Sequence, residues 1–250
     1  MKKVLLVMLL CIGFGLSQNM QTYCCAPPYV VNVVKTNILF LHDMTSSMWN
    51  RAAHTYNDGH YDPDFRYYGY FDETVNYYYA NSMFWKEGYQ PGGALGPFPG
   101  NILNWAVMSR ADVMRKVIAG GKGQPAQAYP KNMLEAQGML TGWSCYLVVR
   151  VGGVVHKYQF SKPRLYQVQV DPYFGDVPAP DTADLLAPLG TGTFMTNIDI
   201  PAGDPAGMGG LLRQIADKDY DGNFDEDAPR VSLQYYSTLA TNFEVASALW

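Results

Sequence analysis

Residues 37–47 read N-I-L-F-L-H-D-M-T-S-S, an apolar run that stops abruptly at a carboxylate and two hydroxyls. Ile38 to Leu41 is short, continuous and rich in branched and aromatic residues, which predicts a strand buried on both faces. Asp43, Thr45 and Ser47 follow at alternate positions, in the loop leaving the carboxyl end of that strand. In an open α/β sheet such loops are where ligands bind. One anionic and two neutral oxygens, with room for water, suit a small hard cation such as Mg²⁺. The alternative is a strand-end turn capped by Asp and Ser.

Working outward, the first residues bear on the compartment. Lys2 and Lys3 precede an apolar stretch from Val4 to Leu16, with Gly15 and Ser17 at the small-residue positions of a cut before Gln18. Residues 1–17 therefore read as a signal peptide, too short and wrongly flanked for a membrane span. Cys11 inside the apolar stretch argues against lipoprotein cleavage. The expected locations are the periplasm, the cell surface or an exported appendage, with no span in the mature chain. Removing Lys2 and Lys3 moves the net charge from −4 to about −6, a sign with no electrostatic footprint for nucleic acid. At 250 residues, with 48% apolar and only 16% charged residues, the chain can bury a full core.

Three cysteines outlast the cut: Cys24, Cys25 and Cys145. In an oxidising compartment Cys145 is expected to bridge to one of the adjacent pair, and the absence of a C-x-x-C spacing argues against redox catalysis. Residues 18–36 are a polar, Pro-containing lead-in. From Trp49 to Gly100 the chain is rich in Tyr, Asn, Asp and Gly, which predicts short strands and tight turns packed as the core of an irregular insertion. A sugar- or protein-binding surface is the competing use for such aromatics.

Residues 101–119 predict one long helix, capped by Asn101 and stopped by Gly120-Gly121. Leu103, Ala106, Val107, Met114, Val117 and Ile118 form its apolar stripe, and Asp112 is expected outside, near Arg115 or Lys116. Ser144 to Val151 and Arg164 to Val170 predict strands, with Gly152-Gly153 and Lys162-Pro163 as breaks. Residues 171–210 read as a long surface insertion, Leu211 to Ala216 as a short helix and Arg230 to Ser237 as a strand.

Residues 217–227, D-K-D-Y-D-G-N-F-D-E-D, carry a second oxygen-ligand pattern. Asp217, Asp219, Asp221, Asn223 and Asp225 stand at positions one, three, five, seven and nine of a calcium loop, with Gly222 at six. Alternate carboxylates converge on one ion and Gly permits the turn. Position twelve is Ala228 where a bidentate Glu is usual, so Asp225 or Asp227 must complete the shell. A solvated acidic turn is the alternative.

Five stretches together resemble the N-terminal region of the PilY family, large exported proteins of type IV pilus biogenesis and pilus tips. They are YCCAPPYV, NILFLHDMTSSM, YDPDFRYYGYFD, GNILNWAVMSRADVMRKVIAGG and DGNFDEDAPRVSLQYY. The resemblance implies an α/β fold, a partial von Willebrand factor A (Rossmann-like) domain over residues 37–250. Its long, aromatic- and loop-rich insertions, 49–100 and 122–229, carry extra β-strands. Residues 37–43 take its first strand, 101–119 its first crossover helix and 230–237 its second strand. Asp43, Thr45 and Ser47 take the family's metal-ion-dependent adhesion site, where Mg²⁺ or Mn²⁺ bridges to an acidic group. The pattern D-x-S-G-S reads D-x-T-S-S here, which keeps the ligand types. The remaining ligands, a Thr and an Asp beyond the second strand, have no counterpart before Trp250, so a truncated domain is expected.

The implied function is a non-enzymatic, cation-dependent adhesion or pilus-assembly module using Ca²⁺ and Mg²⁺. Its partners would be pilins or minor pilins and a host or surface ligand bearing an acidic group. One alternative is a secreted carbohydrate-binding protein using the Tyr/Trp block, with Tyr67, Tyr68 and Tyr70 as contacts. Another is a secreted hydrolase built on Ser46 or Ser47 and one of His42, His54, His60 and His156. Against the hydrolase, neither a G-x-S-x-G elbow nor an H-E-x-x-H helix is present.

Overall fold

The helix expected over 101–119 is two helices. A computed structural model describes residues 37–43, 45–55, 60–121, 132–135, 143–164, 167–177, 182–200, 210–218, 225–236 and 248–249. Within it α1 runs Gly100–Val107 and α2 runs Arg110–Ala119. Between them Met108 (φ −76°, ψ 129°) and Ser109 (φ −84°, ψ 163°) are extended. The local cause is a capping box that the apolar periodicity conceals: S-R-A-D at 109–112. Ser109 Oγ accepts from Asp112 N at 3.1 Å, and Asp112 Oδ2 accepts from Ser109 N at 3.1 Å. Asp112 is therefore fully buried, not on the outer face as its spacing to Arg115 implied. Gly120, left-handed at φ 83°, ends α2 as expected.

The break frees backbone groups, and residues 50–52 take them. Ala52 N donates to Met108 O at 2.8 Å, Arg110 N donates to Asn50 O at 3.1 Å, and Arg51 bridges Ser109 antiparallel. The apolar stripe divides accordingly. Leu103, Ala106 and Val107 are core, but Val117 lies on the surface, because α2 is rotated relative to a straight continuation of α1.

α1 is buried nearly all round, and its two asparagines organise the Tyr-rich block. Asn104, 2% exposed, donates Nδ2 to Tyr67 O and to Phe71 O, each at 2.7 Å, and accepts from Phe71 N at 3.0 Å. Asn101 does not cap the helix. Its Oδ1 accepts from Tyr67 N at 2.7 Å, and its Nδ2 donates to Phe65 O at 2.8 Å. A Cβ on Gly69 would meet Asn104 Oδ1 well inside contact distance, so only glycine lets the loop close on α1. Tyr61, Tyr67, Tyr70, Phe71 and Tyr77 point into the core.

The strands are β1 Asn37–Asp43, β2 Asn76–Ala80, β3 Met83–Lys86, β4 Leu95–Pro99, β5 Asn132–Glu135, β6 Ser144–Val151 and β7 Val154–Arg164. They continue with β8 Gln167–Pro172, β9 Ala183–Asp184, β10 Gly192–Met195 and β11 Asn197–Ile200; after the helix α3, Leu211–Ala216, come β12 Arg230–Tyr236 and β13 Ala248–Leu249. They form a mixed α/β structure with three sheets, ordered β4-β2-β3-β11-β5, β10-β8-β7-β6-β9 and β1-β12-β13. The first two are mainly antiparallel, with β3–β11 and β6–β9 the parallel pairs.

Three expectations are corrected here, while Gly152-Gly153 ends β6 as expected, as a two-residue hairpin turn at φ 56° and 85°. It turns β6 directly into the long β7, whose Pro163 sits where the register shifts. Residues 171–210 are not all surface. Phe194 of β10 enters the aromatic cluster of the other sheet, 4.9 Å from Tyr79 and 5.3 Å from Phe98 between ring centroids, and Ile198 of β11 is buried beside it. β1 is not buried on both faces, since Leu39 and Leu41 are 57% and 72% exposed. Apolar residues of both parities mimic a doubly covered strand, but β1 belongs to a three-stranded sheet covered on one side among the described residues. No helix among the described residues is long and apolar enough to cross a membrane.

Asn104→Ala would strip three hydrogen bonds and leave buried groups of Tyr67 and Phe71 unsatisfied. The expected loss is about 3–5 kcal/mol in urea unfolding, at 1–3 kcal/mol per orphaned group; a loss under 1 kcal/mol would show that the amide does not hold the Tyr-rich block.

Candidate cation site

β1 delivers Asp43 to the start of a turn that becomes a 3₁₀ helix at Ser46–Trp49. Thr45 N donates to Asp43 Oδ1 at 2.8 Å, an Asx turn that orients the carboxylate. Thr45, extended at φ −63° and ψ 164°, stands at the N-cap of the 3₁₀ helix without using its hydroxyl to cap it. That hydroxyl instead lies 2.9 Å from Ser47 Oγ. The structure thus brings all three expected ligands into one turn.

The donor set fits a small divalent cation. Six oxygens at about 2.1 Å from Mg²⁺ place adjacent ligands about 3.0 Å apart, the spacing the two hydroxyls already hold. Oδ2 of Asp43 has no hydrogen-bond partner among the described residues. Among those residues no group of three or more His, Cys, Asp or Glu side chains could hold a metal. The turn at Asp43 offers a different donor set, one carboxylate and two hydroxyls.

Helix α2 fastens this turn. Arg110 Nη1 donates to Ser47 O at 3.4 Å. The Arg115 guanidinium lies 5.6 Å from the ring centre of Trp49, which is 4% exposed. His42, buried one residue before Asp43, has its pKa lowered chiefly by desolvation, with the Arg115 charge acting the same way and Asp43 opposing. Below the turn Arg51 is 6% exposed, its guanidinium 4.8 Å from the Trp105 ring centre and 5.9 Å from that of Trp143. Neither Arg51 nor Arg110 was singled out from the sequence, and Arg115 was expected only as a neighbour of Asp112. Arg110 and Arg115 lie far from Asp43 along the chain, and an arginine on a helix or loop carries no local pattern that reports what it reaches.

Arg51 also neighbours Cys145. Burial pushes that thiol up to about 11, while Arg51 pulls the other way. Cys145 is a free thiol here; Cys24 and Cys25 lie outside the described residues, as does the signal peptide, so the bridge remains an expectation of the sequence. Nearby Lys162 is fully buried, its Nζ donating to Val107 O at 3.4 Å. Desolvation lowers its pKa, against the attraction of Asp112.

The acidic loop is described only at its ends; Asp219, Asp221, Gly222 and Asn223 lie outside the described residues. Asp217 is 6% exposed. Asp225 closes the loop, its N donating to Ala216 O at 2.7 Å and its Oδ2 accepting from Lys218 N at 3.0 Å. Asp227 forms an ion pair with Lys218 at 2.6 Å, so of the two expected completing ligands Asp225 is the better placed.

The tyrosines expected as glycan contacts mostly face inward, while Phe65 and Tyr89 of the same block are exposed. Of those tyrosines Tyr67 and Tyr70 are each 4% exposed and only Tyr68 stands out, which removes two of the three contacts expected for glycan binding. Among the described residues the Ser47 hydroxyl faces Thr45, and His156 lies parallel to Tyr158.

Neither the curated proteins nor the solved structures contain a match to the chain. A family profile described as "PilY1 homolog, small alpha/beta domain" matches residues 58–158. The matched stretch runs from the Tyr-rich block through both helices into β7 and includes neither Asp43 nor the acidic loop. Over residues 58–158 the chain is thus similar to the small α/β domain of PilY1 homologues.

Proposed function

We propose that this chain is a non-enzymatic, cation-dependent adhesion or assembly module of a type IV pilus. The observation that carries the cation dependence is the turn after β1, where Asp43 is oriented by Thr45 N and two hydroxyls stand at ligand spacing. Similarity of residues 58–158 to PilY1 homologues supports the pilus context. Asp43, Thr45 Oγ1 and Ser47 Oγ would hold Mg²⁺ or Mn²⁺, and the bound ion would supply a Lewis-acidic position for an acidic group of a partner. The neighbourhood of β1 and β12 in one sheet is compatible with a von Willebrand factor A-like arrangement around that turn. The signal peptide at 1–17 would direct the chain to the periplasm, cell surface or pilus tip, where pilins or minor pilins are the expected partners. Asp217, Asp219, Asp221, Asn223 and Asp225 would hold Ca²⁺ as a separate, structural ion.

Purified chain retained on immobilised type IV pili in Mg²⁺ should be released by EDTA, and Asp43→Ala should reduce retention in Mg²⁺ to the EDTA level. Retention indifferent to both would refute the cation-dependent role.

Calcium at a hundredfold excess over its Kd should raise the melting temperature by about 5–10 °C, from about 2.7 kcal/mol of binding free energy. Asp219→Ala with Asp221→Ala should abolish the rise, and a parent chain with no calcium response would rule out the loop as a site.

A further inference from the structure

Arg110 occupies the first turn of α2, where the positive end of a helix disfavours a cation. Its side chain is therefore not explained by helix stability. Nor is it neutralised: among the described residues Arg110 forms no ion pair, and its one side-chain hydrogen bond goes from Nη1 to Ser47 O at 3.4 Å. Among the described residues nothing engages the remaining guanidinium N–H groups. The backbone at the same residue is rigidly held, with Arg110 N donating to Asn50 O at 3.1 Å. The guanidinium is thus anchored beside Ser47, whose hydroxyl is one of the three oxygens of the candidate cation site.

Among the described residues the charges around that turn are unbalanced. Asp43 contributes one negative charge; Arg110 and Arg115 contribute two positive ones, and Arg115 is engaged over Trp49. A divalent cation on Asp43, Thr45 and Ser47 would leave a strongly positive turn with one guanidinium edge unused. A carboxylate answers both needs. One oxygen would face a cation held by Asp43, Thr45 and Ser47, and the other would be free to accept a charge-assisted hydrogen bond from Arg110.

We infer that Arg110 is a specificity-determining residue of this site, selecting a carboxylate, such as an acidic side chain of a protein partner, by binding the oxygen that the cation leaves free. This inference rests on the cation site at Asp43. It assigns to α2 a ligand-binding part beyond fastening the turn, and it accounts for an arginine that helix stability and ion pairing leave unexplained.

The test separates metal from ligand by the sign of the effect. The full chain is titrated with Mn²⁺ and then with N-acetyl-aspartate amide, whose methylene protons relax faster when its carboxylate reaches bound Mn²⁺; the N-acetyl-asparagine amide serves as the neutral control. In Arg110→Gln, Mn²⁺ should bind as tightly as in the parent or more so, since a like charge is removed. The aspartate probe should bind about tenfold more weakly, the loss of one charge-assisted hydrogen bond. Arg110→Lys should recover part of the affinity, because a point charge remains without the fork. Equal probe binding in parent and Arg110→Gln, or equal binding of the asparagine control in the parent, would overturn the inference while leaving the cation site standing. A parent chain that takes up no Mn²⁺ would overturn both.

Discussion

The antiparallel pairing of Asn50–Ala52 with Met108–Arg110 is the constraint on which the rest depends. An unbroken helix would keep the carbonyl of Met108 and the amide of Arg110 for itself. Because Ser109 and Asp112 cap a new helix instead, those groups face outward and the loop from the cation turn is stitched to them. That one exchange fixes three things: where Arg51 enters the core, where the 3₁₀ helix ends, and which residues of α2 reach Ser47. Its buried polar groups carry a high cost if unpaired, so the arrangement tolerates little relaxation.

Around this joint the protein uses amides and aromatics in place of regular structure. Asn101 and Asn104 act as backbone surrogates, satisfying amide and carbonyl groups of the Tyr-rich loop that no strand partners. The loop can then bury Tyr61, Tyr67, Tyr70 and Phe71 without orphaned main-chain groups. Phe84, Phe98 and Phe194 tie the two five-stranded sheets together through edge-to-face contacts. An aromatic-rich composition that resembles a sticky surface is here largely spent inside.

Legibility in the sequence followed the range of the interactions. β1, β6 and α3 lie where local pattern and turn residues put them, and β12 begins at Arg230, where its expected span begins. The cluster at Asp43 was legible because its three oxygen-bearing residues are separated by single residues. β7 was hidden because Gly-Gly reads equally as an end or a hairpin, and because Lys162-Pro163 disguised a strand that continues through a bulge. β10 and β11 were hidden since their partners, β8, β3 and β5, are remote in sequence. The helix break shows two local signals in conflict, periodicity against the capping box, with the outcome decided by residues 50–52. Arg110 is the extreme case, since its role comes wholly from a neighbour across the fold.

The sheet that carries the cation turn pairs β1 with β12, and all of residues 44–229 lie between them. Closing so long a loop is slow, because its entropy is lost before the pairing contributes. A chain made from its amino end therefore presents β1 long before β12 exists. During that interval Leu39 and Leu41 belong to a strand with unmet hydrogen-bonding groups, the kind of edge that invites wrong association. Folding of this protein should accordingly depend on keeping β1 guarded until β12 arrives.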